Sequence, residues 1–251
     1  MRIINTFLSF VISITLSLTA AMAQEMSEPE KQQNLQNLGT SDLSGMVRTY
    51  DERYEGVKGH PLFFEDWVTG SVLLENNQEY QAELQYNVHT DELIVKQKGR
   101  EPVILDKERV RAFSMGVNDA ANMANFVKAS YLEHELPRVK EDKYVQVLYD
   151  GETVLYAINR KPLNKANYKG AYNTGQTYDE FGELDASYYF VGPHGVKKMK
   201  NNEKSVLKAL GDKKDGKLAD YIVEQNLDLQ DRTDLVELIM YYENQLDRGT
   251  P

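Results

Sequence analysis

Polar and apolar residues alternate one by one over a long stretch of the first half of the chain. Tyr80, Ala82, Leu84, Tyr86 and Val88 interleave with Glu79, Gln81, Glu83, Gln85 and Asn87. A period of two puts one face of a strand on a core and the other in water. Val68 to Leu74 precedes this strand across the turn-forming pair Asn76-Asn77. Leu93 to Gln97, Val103 to Leu105 and Val110 to Met115 follow, divided by His89-Thr90-Asp91 and Lys98-Gly99-Arg100. Short strands at such spacing, joined by tight polar turns, predict an antiparallel meander. From Gly116 to Pro137 the pattern blurs. Asn118 to Asn125 is rich in Ala and Asn, and Phe126 to Leu132 suits a strand or the end of a helix. Alternation returns at Tyr144 to Tyr149, turns at Asp150-Gly151, where glycine tolerates the tight geometry, and runs back from Thr153 to Ile158. A long polar stretch, Lys161 to Asp185, carries Tyr168, Tyr172, Tyr178 and Phe181. Connections of that length are functional or mobile. Ala186 to Val191 and Val196 to Met199 form a last hairpin around Gly192-Pro193-His194-Gly195.

Beyond residue 200 the period changes. Val206, Leu207 and Leu210 mark a short helix stopped by Gly211. Leu218, Tyr221 and Ile222 mark a second after Gly216. Leu235, Leu238, Ile239, Tyr242 and Leu246 recur at spacings of three and four, an amphipathic third helix for which Asp231 or Thr233 is the candidate cap. The apolar face of the preceding sheet is the expected partner for these helices. The fold class is α+β: a curved, half-barrel-like antiparallel meander over 45–200, with a helical segment over 201–251 packed on or beside the sheet.

The N-terminus reads as an export signal. Arg2 supplies a positive start, Phe7 to Leu18 is apolar apart from Ser and Thr, and Ala21-Met22-Ala23 gives the small-x-small cleavage pattern before Gln24. Residues 1–23 are thus a signal peptide and 24–44, rich in Gln, Asn, Glu and Ser, a polar flexible tether. No second long apolar stretch follows, so the mature chain is expected to lack a membrane-crossing segment and to be exported: periplasmic, outer-membrane-associated or extracellular. Over all 251 residues, 29 Lys and Arg face 39 Asp and Glu, a formal charge of −10. That balance argues against a general nucleic-acid binder, which needs a basic surface. The absence of cysteine rules out disulfides, thiol catalysis, Cys-ligated zinc, iron–sulfur clusters and a lipid-modified N-terminal cysteine.

Gly59-His60-Pro61-Leu62-Phe63, Trp67, Gly70-Ser71-Val72 and Asp91-Glu92-Leu93-Ile94-Val95 resemble uncharacterised exported proteins of the Bacteroidota. The Tyr149-Asp150-Gly151 hairpin, the Tyr172-Asn173-Thr174-Gly175 loop and Lys204-Ser205-Val206-Leu207-Lys208 fit the same pattern. The resemblance spans most of the mature chain through strand and turn patterns. It implies a Gram-negative envelope protein and carries over no activity and no catalytic residue.

Chemistry is sparse. His60, His89, His134 and His194 lie outside any metal-binding spacing and read as turn and surface histidines. In the stretch Asp212 to Asp220, Gly216 would be position six of a calcium loop, but Gly211 and Lys213 would then fill carboxylate positions, so the EF-hand reading fails. Ser205-Val206-Leu207-Lys208 matches SxxK without its companion motifs. The acid pairs Glu65-Asp66, Asp91-Glu92 and Asp179-Glu180 are the candidates for glycosidase-like carboxylates. No catalytic residue, metal or cofactor is assigned. Sixteen tyrosines and one tryptophan are the compositional lean, and tyrosine suits both half-buried strands and wet binding surfaces. Tyr50, Tyr54, Phe63, Trp67, Tyr168, Tyr172 and Tyr178 are the candidate contact residues. The expected function is non-enzymatic: a periplasmic accessory or adaptor that binds another protein, such as an outer-membrane complex. The alternatives are a small-molecule, lipid or glycan binder using the Tyr-rich loop and concave sheet face, and a hydrolase whose acids converge only in three dimensions.

Overall fold

A computed structural model of the chain describes residues 47–50, 53–97, 99–116, 123–166, 178–212 and 216–249, with side chains through residue 245. The expected signal peptide and the tether lie outside the described residues, as do Tyr168, Tyr172 and most of the Asn118 to Asn125 stretch. The strands are β1 (Val47–Thr49), β2 (Val68–Leu74), β3 (Glu79–Asn87), β4 (Glu92–Val95), β5 (Val103–Leu105), β6 (Val110–Gly116), β7 (Ala124–Lys128), β8 (Tyr144–Asp150), β9 (Val154–Arg160), β10 (Leu163–Asn164), β11 (Glu180–Phe181), β12 (Asp185–Gly192) and β13 (Gly195–Met199). The helices are α1 (Glu203–Leu210), α2 (Lys217–Glu224) and α3 (Arg232–Gly249).

Eleven strands form one sheet in the order β1-β5-β4-β3-β2-β6-β7-β8-β9-β12-β13, while β10 and β11 pair separately. The sheet is antiparallel, mostly sequential, and open at β1 and β13. The ambiguous Phe126 to Leu132 stretch resolves into β7, followed by a 3-10 turn at Ala129–Tyr131.

One short connection shows that the sheet coils. β5 and β6 stand four places apart in the strand order, which on a flat sheet would be about 19 Å. The link from Leu105 to Val110 reaches at most about 18 Å fully extended, and it contains a 3-10 turn at Lys107–Arg109, which shortens it further. The strands therefore wrap toward one another. Register irregularities between Leu73 and Leu74 and between Val147 and Tyr149 add bends. At Gly70 the backbones of β2 and β6 approach so closely that a Cβ would collide with the Ser114 carbonyl and meet a Leu84 methyl at 2.7 Å.

The inside of this coil is filled by its own side chains. Leu84, Tyr86, Met115, Phe126 and Tyr144 belong to one buried cluster, with Phe63 and Phe64 against it. Phe113 and Phe126 stack at 4.7 Å, and Tyr86 meets them at 5.2 and 5.0 Å.

The later strands are covered on both faces. Leu155, Ala157, Tyr188, Phe190 and Met199 pack against Val206, Leu207, Leu218, Leu235, Leu238 and Ile239 of the helices. Val145, Tyr156, Tyr189 and Val191, alternate residues of the same strands, pack against Leu132, Leu136 and Val139 of the segment after β7. α1 ends at Gly211 in the left-handed region, φ 78°, as its sequence predicts. Asp231, not Thr233, caps α3, its Oδ1 accepting from the Thr233 backbone N at 2.7 Å. The Arg232 guanidinium fastens α3 to the sheet, donating to Gln146 Oε1 at 2.8 Å and Asn159 Oδ1 at 2.7 Å.

Candidate functional site

The turn between β3 and β4 brings distant groups together. Asn87 Oδ1 accepts from the backbone N of His89 at 3.0 Å and of Thr90 at 3.1 Å, an Asx-type turn. Asp91 then takes φ +63°, a conformation that Asp tolerates better than most residues. The result is an exposed His89 and, two residues on, an Asp91 turned inward.

On the outer side, His89 Nδ1 lies 3.0 Å from the Lys161 carbonyl, which requires the proton on Nδ1 if that nitrogen is to donate. Its ring meets Phe181 edge-on at 5.4 Å and Tyr54 at 6.1 Å, and Tyr54 and Phe181 meet at 5.0 Å. The backbone around Lys58 runs along β11: Lys58 N donates to Asp179 O, and Phe181 N to Lys58 O, both at 2.9 Å. Gly59, at φ +73°, lets the chain turn against Phe181. Lys58 Nζ pairs with Glu180 at 2.9 Å and sits 5.3 Å from the centre of the Tyr178 ring.

Lys161 sends its side chain to a second histidine. Its Nζ lies 3.4 and 3.5 Å from the two ring nitrogens of His60, while His60 Nδ1 accepts from Leu62 N at 3.2 Å. Glu65 stands 3.7 Å from His60 Nε2. Burial lowers the pKa of His60, and the Lys161 charge lowers it further against the opposing pull of Glu65 and Glu183. Burial likewise lowers the pKa of Lys161. Two half-buried nitrogen bases thus sit side by side next to an aromatic cluster.

On the inner side, Asp91 is a charge hub. It receives the Tyr86 hydroxyl at 2.5 Å, pairs with Lys143 at 3.0 Å and with Lys107. Lys107 also reaches Asp142 at 3.3 Å. The hub ties the β3–β4 turn, the β5–β6 link and the start of β8 together across one end of the coil. Tyr144 packs beside it with a buried hydroxyl that has no hydrogen-bond partner among the described residues, and burial pushes its pKa, like that of Tyr86, well up.

The candidate contact residues do not converge on one surface. Tyr54 and Tyr178 come to the β11 end, Tyr178 being 43% exposed. Tyr50, 38% exposed, follows β1. Phe63 turns into the core against Phe126 at 5.2 Å, with Arg232 5.9 Å from its ring centre. Trp67 is half-buried on the flank with Lys96 5.8 Å from its ring. The acid pairs are largely engaged: Asp91 in the hub, Glu92 with Arg48 and Arg53, Glu180 with Lys58, and Asp179 accepting from Ala166 N at 2.7 Å. Sequence reasoning reads His60 and His89 as turn and surface histidines and Asp91 as one of an acid pair, and it passes over Lys161 altogether. His60 and Lys161 are 101 residues apart, His89 and Lys161 72, and no local pattern announces contacts over such separations.

Family models, curated proteins and solved structures give no match to this chain. Among the described residues, no three His, Asp or Glu side chains group to hold a metal ion, and no helix is long and apolar enough to cross a membrane.

Proposed function

We propose that the protein is an exported, non-enzymatic module of the Gram-negative cell envelope, an adaptor that docks another protein. The observation that carries this reading is the aromatic surface at the β11 end. Tyr54, His89 and Phe181 support one another, with the half-exposed Tyr178 and Lys58 beside them. Interfaces draw their binding energy from such preorganised aromatic and cationic anchors, because ordering them on binding costs little further entropy. The compartment rests on the leader read at residues 1–23 and on the resemblance to exported Bacteroidota proteins. The concave-face alternative is disfavoured because Tyr86, Phe113, Phe126 and Tyr144 fill the coil and α1–α3 cover the remainder of that side. The hydrolase alternative is disfavoured because Asp91, Glu92 and Glu180 are spent on ion pairs and Asp179 on a backbone amide.

The test is affinity purification of the protein from its native envelope with mass spectrometry of what accompanies it. A stoichiometric partner retained by the wild type and lost from a Tyr54→Ala/Tyr178→Ala double variant is the expected result. A clean monomer from gently solubilised envelope removes the adaptor reading.

A further inference from the structure

Cations are distributed unevenly in this acidic molecule. Over the coiled half they are mostly held in pairs: Arg48 with Glu92, Lys96 with Glu83, Lys107 and Lys143 with Asp91, Lys128 with Glu75. Between Lys197 and Lys217 the sequence places eight lysines against three acids, although the whole chain carries −10. Lys197, Lys198, Lys200, Lys204, Lys208 and Lys217 are exposed. Among the described residues none of the six has an ion-pair partner, and Lys198 rests 5.4 Å from the centre of the Tyr189 ring.

Geometry gathers four of these lysines along two grooves. Lys198 and Lys200 line an open groove of about 670 Å³ that also includes Arg160, Asp185, Asn202 and Ser205. Lys204 and Lys208, one turn apart on α1, line a neighbouring groove of about 800 Å³ over Leu207 together with Glu203 and Asp212, and Asn202 belongs to both. Alongside runs β13, the last strand of the sheet, which among the described residues pairs only with β12. Among the described residues its other edge has no strand partner.

We infer that the β13 edge and the adjoining lysine-lined grooves bind an extended acidic peptide segment of a partner protein, which adds as a further strand beside β13. The inference rests on the adaptor reading and names the chemistry of the partner. Two features select this occupant. A free sheet edge recognises peptide backbone, which a lipid headgroup or a nucleic acid does not offer, and a concave groove does not lie flush on a bilayer. Lys197 and Lys198, on opposite faces of β13, also oppose its pairing with a second copy of itself, since like charges would come close on either face, while an acidic strand meets complementary charge. The acidic remainder of the molecule repels a long polyanion but spares a short peptide.

The probe is a fluorescent peptide of alternating Glu and Val, with the Lys–Val peptide and phosphatidylglycerol vesicles as comparisons, added to the purified protein at low salt. The acidic peptide binds and the basic one does not. Lys197→Glu/Lys198→Glu/Lys200→Glu weakens binding by about tenfold or more, Lys204→Glu/Lys208→Glu weakens it less, and amide exchange slows across 195–199 on binding. All five positions are exposed, so melting curves of the variants should match wild type. Three results overturn the inference: no preference for the acidic peptide, binding without protection of the β13 amides, or vesicle binding in place of peptide binding. Envelope capture separates this inference from the adaptor reading. A partner retained by the triple variant but lost from Tyr54→Ala/Tyr178→Ala leaves the adaptor standing and removes the β13 site.

Discussion

The coiled half of the sheet and its helix-covered half solve the same burial problem by different means. From β1 to β7 the strands curl around their own side chains, and the space is closed by large rings: Tyr86, Phe113, Phe126, and Tyr144 from β8. From β8 to β13 the sheet needs a layer on each face. α1–α3 supply one with aliphatic residues, and the Leu132 to Val139 segment supplies the other. Curvature replaces layers only where side chains are big enough to meet across the coil. The charges follow the same division. The coil must bring chain segments together at its end and does so around the buried Asp91, whereas the layered half leaves Lys197, Lys198, Lys200, Lys204 and Lys208 in water.

Breaking each half at its centre exposes the difference. The largest effect is expected at Asp91. Asp91→Asn keeps the left-handed turn but leaves Lys107 and Lys143 without the buried countercharge, and unfolding in denaturant should show a loss of about 3–5 kcal/mol. Asp91→Ala should cost more, because alanine resists φ +63°. In the layered half, Leu238→Ala empties a fully buried position and should cost about 2–5 kcal/mol. Arg232→Met tests the fastening of α3 to the sheet within the layered half. It removes the donor to Gln146 and Asn159, both buried, for about 1–3 kcal/mol, and hydrogen exchange should show α3 opening more readily than β3.

The smallest effect is in pH. Folding holds the His60 ring neutral below its ordinary value of 6.5, so the unfolded chain takes up a proton first as pH falls. Stability therefore declines from about pH 6.5 downward until the folded ring is protonated as well. His60→Gln should remove that decline in melting curves, and Lys161→Met should move the His60 titration upward in NMR.

The meander, its turns and the three helices were legible because each writes its period locally: alternation at Tyr80 to Val88, Gly after Leu210, threefold and fourfold spacing from Leu235. The Phe126 to Leu132 stretch was not, because β7 is only five residues long and passes directly into a 3-10 turn. Curvature was anticipated, but its cause lies in register. The short link at Asp106 to Arg109 constrains the sheet only once β5 and β6 are known to stand four strands apart. Tyr54 and Tyr178 were singled out for composition and do reach one surface. Phe63 was singled out on the same ground and is half-buried against the core, since composition does not say which way a ring points. The His60–Lys161 pair and the Asp91 hub are assembled by tertiary contact alone.

α3 has a second attachment, beyond the apolar stripe and Arg232. Glu243, some three turns further along, accepts from the backbone N of Glu152 at 3.1 Å and of Thr153 at 3.0 Å, and from the Thr153 hydroxyl at 2.9 Å, at the tip of the β8–β9 hairpin. Bolted near both ends to strands β8 and β9, the helix is a cross-brace against shear between them. A tug arriving through the C-terminus would load the hairpin tip first and reach the coiled half only after that brace gives way.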